Sequence, residues 1–241
     1  MMNPEDYVKY RNHNVKLLNK YADSILAVSD RVSQIMIKNG VQSNKVVTSY
    51  IGTKFAENEL GYSIAKNTEP FTIAYLGYER VDKGFFFLID ALSKLDKDIA
   101  SKINIVLAVA KLHKENIVGK LDNFNKVIIH NGYTHKDLPN ILKEVNLGIV
   151  PVLWEDNLPQ VAIEMVALGV PILCSSFGGA SELCNSDLFK FEGANESDFL
   201  QKLTNFVNNP EILNEYWNHH PDLTTMKKHI NEILKVYKGD N

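Results

Sequence analysis

Residues Asn146–Leu183 read NLGIVPVLWEDNLPQVAIEMVALGVPILCSSFGGASEL, and the fold is decided by how this stretch is parsed. Ile149–Leu153 is apolar and β-branched enough for a buried strand, and Trp154-Glu155-Asp156-Asn157 breaks it with acidic and turn-forming residues. Asp156 or Asn157 can cap the helix that follows. Pro159 suits its first turn, where the missing N–H has no helical partner in any case, and Gly169 can close it in a left-handed conformation. A helix of about ten residues, Pro159–Leu168, is predicted, with Val161, Met165 and Leu168 on the packed face and Glu164 on a neighbouring one. Pro171–Cys174 reads as the next strand, and Gly178-Gly179 permits a close backbone approach before Ala180–Leu183 turns again.

Strand, loop, helix and strand make a βαβ unit, whose crossover is right-handed and whose ligands lie beyond the carboxyl ends of the strands. Asp156 and Glu164 would sit roughly twelve ångströms apart along a fully helical path, at about 1.5 Å rise per residue. That is too wide for two carboxylates sharing a proton. It suits two carboxylates gripping different hydroxyl-bearing parts of one extended ligand, while the open N–H groups at the helix start suit an anion. By spacing alone, Asp156 could equally be a helix cap and Glu164 a solvated helix residue.

Asp156, Glu164, Gly169-Val170-Pro171 and Gly178-Gly179-Ala180-Ser181-Glu182 together resemble the signature of retaining glycosyltransferases of the family 4 type, which have the GT-B fold. That signature has two acids, usually Glu and Glu, separated by seven residues, then Gly-x-Pro and Gly-Gly-x-x-Glu. The first acid here is Asp, in a DNLP loop. The resemblance implies that Asp156 and the backbone of Asn157, Leu158, Pro159 and Gln160 hold the donor sugar, that Glu164 holds the nucleotide ribose, and that Gly178 and Gly179 approach the ligand.

The second matching loop is LGYERVDKG, residues 76–84, after a strand predicted at Phe71–Leu76 and before a helix predicted at Gly84–Leu95. It resembles the family's LGRxxxxKG, in which an Arg and a Lys clamp the diphosphate. Lys83 and Gly84 match in register. Tyr78 stands where the family has Arg, and Arg80 is the candidate for a second positive charge. After a strand at Lys126–Ile129, the loop His130-Asn131-Gly132-Tyr133-Thr134 resembles those that set Gly132 and Tyr133 against a nucleobase, although a turn glycine beside a packed tyrosine reads as well. Thr134 is a candidate cap for a helix from His135 to Val145.

The resemblance begins earlier, at YADSILAVSDRVSQIMIKNGV, where a strand at Ser24–Val28, a helix to Asn39 and a strand at Lys45–Ser49 look like the end of the family's acceptor-side domain. More than a hundred residues that precede this part in the family have no counterpart. The expected organisation is residues 1–54 as an acceptor-side remnant, 55–225 as a nucleotide-sugar donor-binding Rossmann-like domain entered through a polar linker at 55–70, and 226–241 as a bracing helix. The fold class expected is α/β, a doubly wound parallel sheet corresponding to the C-terminal half of GT-B, with a partial N-terminal α/β segment. A third strand, Ile103–Val109, and helices at Ser197–Asn208, Pro210–Trp217 and Leu223–Tyr237 complete it, with a short strand at Leu188–Phe191.

Composition narrows the classes. The 241 residues include 26 basic and 29 acidic side chains, a net charge of −3, which gives no global pull toward nucleic acid. Apolar content of 45% is enough for an ordinary core. Cys174 and Cys184 match neither a zinc pattern nor a CxxC motif, and a reducing cytosol fits them. No apolar run approaches the roughly 18 residues of a membrane span, and the opening residues lack a signal-peptide pattern. Residues 4–22 form a basic amphipathic pattern, with Tyr7, Tyr10, Leu17, Leu18 and Tyr21 on one stripe; such a helix can rest on lipid headgroups, though it is more often simply packed, so membrane contact is peripheral at most. His130 and His135 lack a third ligand, His219-His220 carry no role, and there is no Asp-x-Asp motif, so no metal or other cofactor is expected. The partners implied are a nucleotide-sugar donor, a saccharide or lipid-linked saccharide acceptor, and an acceptor-domain chain.

Overall fold

The computed structural model describes residues 3–57, 70–184, 186–218 and 222–239. Most of the linker predicted at 55–70, and His219-His220, lie outside the described residues. The chain divides into two compact units: Met1–Glu57 with Thr224–Asn241, and Asn58–Leu223.

In the smaller unit, α1 (Pro4–Tyr21) starts on Asn3, whose side chain accepts from the Asp6 N–H at 2.8 Å. It leads to β1 (Ile25–Ala27), α2 (Asp30–Lys38), capped by the Ser29 hydroxyl, and β2 (Val46–Thr48), which pairs with β1 in parallel. Asn19 ties α1 to the α2–β2 turn, donating to the Gly40 carbonyl at 2.9 Å and accepting from the Gln42 N–H at 2.9 Å. The stripe expected to pack along α1 is largely exposed: Tyr7, Tyr10, Leu17 and Tyr21 face outward and only Leu18 of the five is half-buried. The C-terminal helix, Met226–Lys238, belongs to this unit through a Thr53–Thr225 bridge and a hydrogen bond from the Ser49 hydroxyl to Glu232 at 3.3 Å. No helix among the described residues is long and apolar enough to cross a membrane.

The larger unit runs β3 (Phe71–Gly77), α3 (Phe85–Leu92), α4 (Lys97–Ala100), β4 (Ile103–Val109), β5 (Lys126–Asn131), α5 (Leu138–Ile141), β6 (Leu147–Val150), α6 (Gln160–Ala167), β7 (Ile172–Ser175), β8 (Lys190–Phe191), α7 (Glu196–Asn208) and α8 (Glu215–Asn218). Its six strands are all parallel, in the order β5-β4-β3-β6-β7-β8. Strands β3, β4, β6 and β7 are almost wholly buried, as a parallel sheet covered on both faces requires, which is why they read as continuous apolar runs. Chain direction across the sheet reverses between β3 and β6, and there the crevice of a doubly wound sheet opens. Asn146 fixes the entry to β6: its side chain accepts from the Thr72 N–H at 2.7 Å and its own N–H donates to the Thr72 carbonyl at 2.8 Å. The short β8 is held by aromatic packing, Phe87 stacked on Phe191 at 5.9 Å and Phe189 on Phe206 at 5.2 Å between ring centroids.

Several elements differ from expectation for local reasons. Strand β6 ends at Val150 because Pro151 has no N–H for the ladder. Helix α6 starts at Gln160 with Pro159 at its N-cap, so neither Asp156 nor Asn157 caps it. The helix expected from His135 to Val145 is one turn, Leu138–Ile141: Asp137 turns back to take the N–H and hydroxyl of Thr134, both at 2.8 Å, and Pro139 follows at once. A 3₁₀ turn, Lys114–Asn116, follows β4, and another, Asp187–Phe189, replaces the start of the strand expected at Leu188. Pro210–Asn214 is likewise 3₁₀ before α8 begins.

Candidate functional site

The loops that follow β3, β6 and β7 are locked together by backbone contacts. The Leu153 N–H donates to the Asp82 carbonyl at 3.0 Å, and beside it Gly84 begins α3 at φ +73°, where a Cβ would lie 1.7 Å from the Pro151 oxygen. Glycine is therefore required on two counts, conformation and space. Gly178 repeats the device on the other side: φ is +71°, and a Cβ would sit 2.4 Å from the Asp156 oxygen. Its N–H donates to the Glu155 carboxylate at 3.0 Å, and the Gly179 N–H to the Asp156 carbonyl at 2.9 Å. The β6 loop is thus clamped from both flanks.

Within this frame a cavity of about 340 Å³ opens at the switch point between β3 and β6. Its floor is apolar, from Leu76, Ile149, Val150 and Val152; its polar rim carries Lys83, His135 and Glu164. Two ion pairs span the rim. Lys83 Nζ lies 2.5 Å from Asp156 Oδ2, with the Asp156 side chain 9% exposed, and 5.5 Å from the centroid of the Trp154 ring. His135 Nδ1 lies 2.9 Å from Glu164 Oε1, with the Glu164 side chain 3% exposed and the imidazole 57% exposed. Each acid is a buried carboxylate held by a partly exposed cation or potential cation, an arrangement that leaves the cationic partner able to turn toward an anion entering the cavity.

Two tyrosines complete the wall. Burial, followed by the Glu164 carboxylate and the neighbouring Tyr78, pushes the Tyr133 phenol up to about 12. Burial also raises Tyr75, with Tyr133 and Asp82 adding to it, and its hydroxyl donates to the Tyr78 carbonyl at 2.7 Å. Both phenols are neutral hydrogen-bonding groups at physiological pH.

Of the residues singled out in the sequence, Lys83, Tyr133, Pro159, Gln160 and Glu164 line this cavity, and Asp156 adjoins it through Lys83. Arg80 does not reach it: its guanidinium pairs in two places with Asp82, at 2.8 and 3.0 Å, and faces a shallow concavity beside Trp154. Gly132, at φ +82°, supports the turn before Tyr133 but borders a different depression with His130 and Asp137. Asn157 is exposed, Leu158 is buried, and Gly178 and Gly179 key the β7 loop to the backbone of Asp156. Sequence reasoning missed His135 as a partner of Glu164, and Glu155 as the acceptor for Gly178. The loop position of His135, three residues after Gly132, was the one available signal; its distance along the chain from Glu164 offers none. Among the described residues no group of three or more His, Cys, Asp or Glu is arranged to hold a metal ion.

The sequence profile of the glycosyl transferases group 1 family matches residues 58–220, which hold the whole six-stranded sheet and every residue of the cavity. The chain belongs to this family. Among solved structures, that of Anabaena Alr3699/HepE in complex with UDP and glucose superposes with a TM-score of 0.75 at 16% identity, over 98% of this chain and 69% of that one. Sucrose-phosphate synthase from Thermosynechococcus elongatus matches with a TM-score of 0.75 at 15% identity, over 99% of this chain and 62% of that one. The lipopolysaccharide outer core galactosyltransferase WaaB, in its apo form, matches with a TM-score of 0.69 at 15% identity, over 95% of this chain and 66% of that one. These neighbours are GT-B glycosyltransferases, and the parallel Rossmann-like sheet is the fold shared with them. No curated protein sequence matches the chain.

Proposed function

We propose that the chain binds a nucleotide diphosphate sugar at the β3–β6 crevice and serves retaining transfer of that sugar to an acceptor hydroxyl, in polysaccharide or glycoconjugate synthesis. Support comes from Lys83 and Glu164, which line one cavity beyond the carboxyl ends of two adjacent parallel strands, with Asp156 against Lys83. In this reading Lys83 and the first N–H groups of α6 meet the negative charge that grows on the diphosphate as the bond from the anomeric carbon to the phosphate oxygen breaks. Asp156 and the Asn157–Gln160 backbone orient the sugar, Glu164 holds the ribose hydroxyls, and Tyr133 bounds the base. The acceptor oxygen bonds to the anomeric carbon on the leaving-group face, and its proton passes to a donor phosphate oxygen. The proposed chemistry uses no metal or other cofactor. The acceptor is a saccharide or lipid-linked saccharide, and the setting is the cytoplasm, with the membrane touched only peripherally.

A second reading keeps donor binding on this chain and assigns acceptor binding to a partner chain; the chain spans 69% of the matched Anabaena chain. One experiment addresses both. Purified protein is incubated with UDP-, GDP- and ADP-sugars and simple saccharide acceptors, product anomers are read by NMR, and Lys83→Ala serves as control. Transfer with the donor's anomeric configuration kept, and lost in the variant, supports the enzyme. Donor binding without transfer supports the divided form, and absence of both contradicts the proposal.

A further inference from the structure

The cavity is short of positive charge for the ligand proposed. Among the described residues six ionisable side chains line it, Tyr75, Tyr78, Lys83, Tyr133, His135 and Glu164, and of these Lys83 and His135 can be cationic. Tyr78 occupies the position where the family resemblance leads one to expect an arginine, and Arg80 is held by Asp82 away from the cavity. Meanwhile Lys83 is already engaged by Asp156. A diphosphate leaving as an anion calls for more than one such contact.

We propose that His135, in its protonated form, is the second cationic contact for the bound donor, standing in for the missing arginine and making donor affinity pH-dependent. This rests on the donor-binding reading of the site. The imidazole is placed for the role: it lies on the rim, 57% exposed, in a loop after β5, and its Nδ1 is 2.9 Å from Glu164 Oε1. Pairing through Nδ1 directs one ring nitrogen to the carboxylate and leaves the ring's other edge for ligand contact. The charged and titratable groups around it are Glu164 from α6, Tyr78 and Lys83 from the β3 loop, and Tyr133, Asp137 and His130 from its own strand and loop. Asp137 is occupied by Thr134, so Glu164 is the carboxylate that His135 shares with the ligand.

The sign follows directly. An anionic ligand favours the protonated imidazole, so affinity is greatest at low pH and falls as the ring loses its proton. The test is calorimetric titration, at about pH 6 and about pH 8, with whichever of UDP-glucose, GDP-glucose and ADP-glucose binds most tightly. Nucleotide sugars serve because their diphosphate is esterified at both ends and keeps its charge through this window. The parent protein should bind about fivefold more weakly at the higher pH, the scale of a partly exposed charge pair. His135→Gln should bind with the weaker affinity at both values, and His135→Lys with the tighter one. A parent without the drop, or a His135→Gln protein that retains it, overturns the assignment. Failure of all three sugars to bind is a different outcome: it overturns the donor site, and this contact with it.

Discussion

Lys83 Nζ and Asp156 Oδ2 lie 2.5 Å apart although 73 residues separate them in sequence. The pairing follows from the fit between two loops, one ending at Gly84 against Pro151 and the other held by Gly178. Asp156 satisfies the lysine, so a ligand diphosphate must compete for it. Asp156→Asn should therefore bind a nucleoside diphosphate as tightly as the parent or up to about fivefold more tightly, while transfer from the sugar-bearing donor falls. Calorimetry with the diphosphate, paired with a transfer assay, checks both halves. Weaker diphosphate binding would show that Asp156 supports the anion site instead of competing with it.

Glu164 is a buried carboxylate on the cavity rim. If it accepts hydrogen bonds from ribose hydroxyls, Glu164→Ala should weaken nucleotide binding more than about tenfold, the scale of a lost charge-assisted hydrogen bond. The same substitution should leave affinity for inorganic pyrophosphate little changed. Equal losses for the two ligands would point to a general disturbance of the cavity.

Gly84 and Gly178 carry the loop geometry. Gly84→Ala sets a Cβ 1.7 Å from a backbone oxygen at a positive φ, and Gly178→Ala sets one 2.4 Å from another. Each should cost about 2–4 kcal/mol and lower Tm by several degrees. Gly119→Ala is the control: its φ is also positive, +76°, but nothing lies within 4 Å of the added carbon. Thermal unfolding of the three variants separates crowding from backbone strain, and a Gly84→Ala protein as stable as Gly119→Ala would refute the interlocked-loop description.

The Tyr133 phenol titrates in the folded protein at about 12, against an ordinary value of 10.0. A group whose folded value is raised contributes stability that is present below about pH 10 and is lost as pH rises toward 12. Tyr133→Phe should thus flatten part of the alkaline loss of stability. Glu164→Gln, which removes the second cause of the shift, should bring the phenol's ultraviolet titration closer to 10. An unaltered titration would mean that burial and Tyr78 set it without the carboxylate.

Much of this was legible in the sequence because the signals were local. Ile103–Val109 is a strand with the bounds that its apolar run predicts, and Gly169 closes α6 in a left-handed conformation as its position after the last packed turn predicts. Lys83 and Glu164 could be picked out because each lies at a fixed offset from a glycine or proline. What stayed hidden depended on contacts between distant segments. Asp156 reads as a helix cap by spacing and as a sugar contact by resemblance, and neither reading contains its pairing with Lys83. His135 reads as half of an incomplete metal pair until Glu164 takes its Nδ1. Arg80 reads as a phosphate ligand until Asp82, two residues on, holds it in both places. The tyrosines of α1 misled for a related reason: helical periodicity identifies a stripe, not what covers it.

The most direct test of the donor-binding claim is a crystal structure of the protein soaked with the nucleotide sugar it binds best. The account predicts the diphosphate within hydrogen-bonding distance of Lys83 Nζ and the start of α6, the ribose on Glu164, and Asp156 turned from the lysine to the sugar. A nucleotide found elsewhere, or a cavity in which Lys83 and Glu164 keep their present partners and touch no ligand, would contradict it.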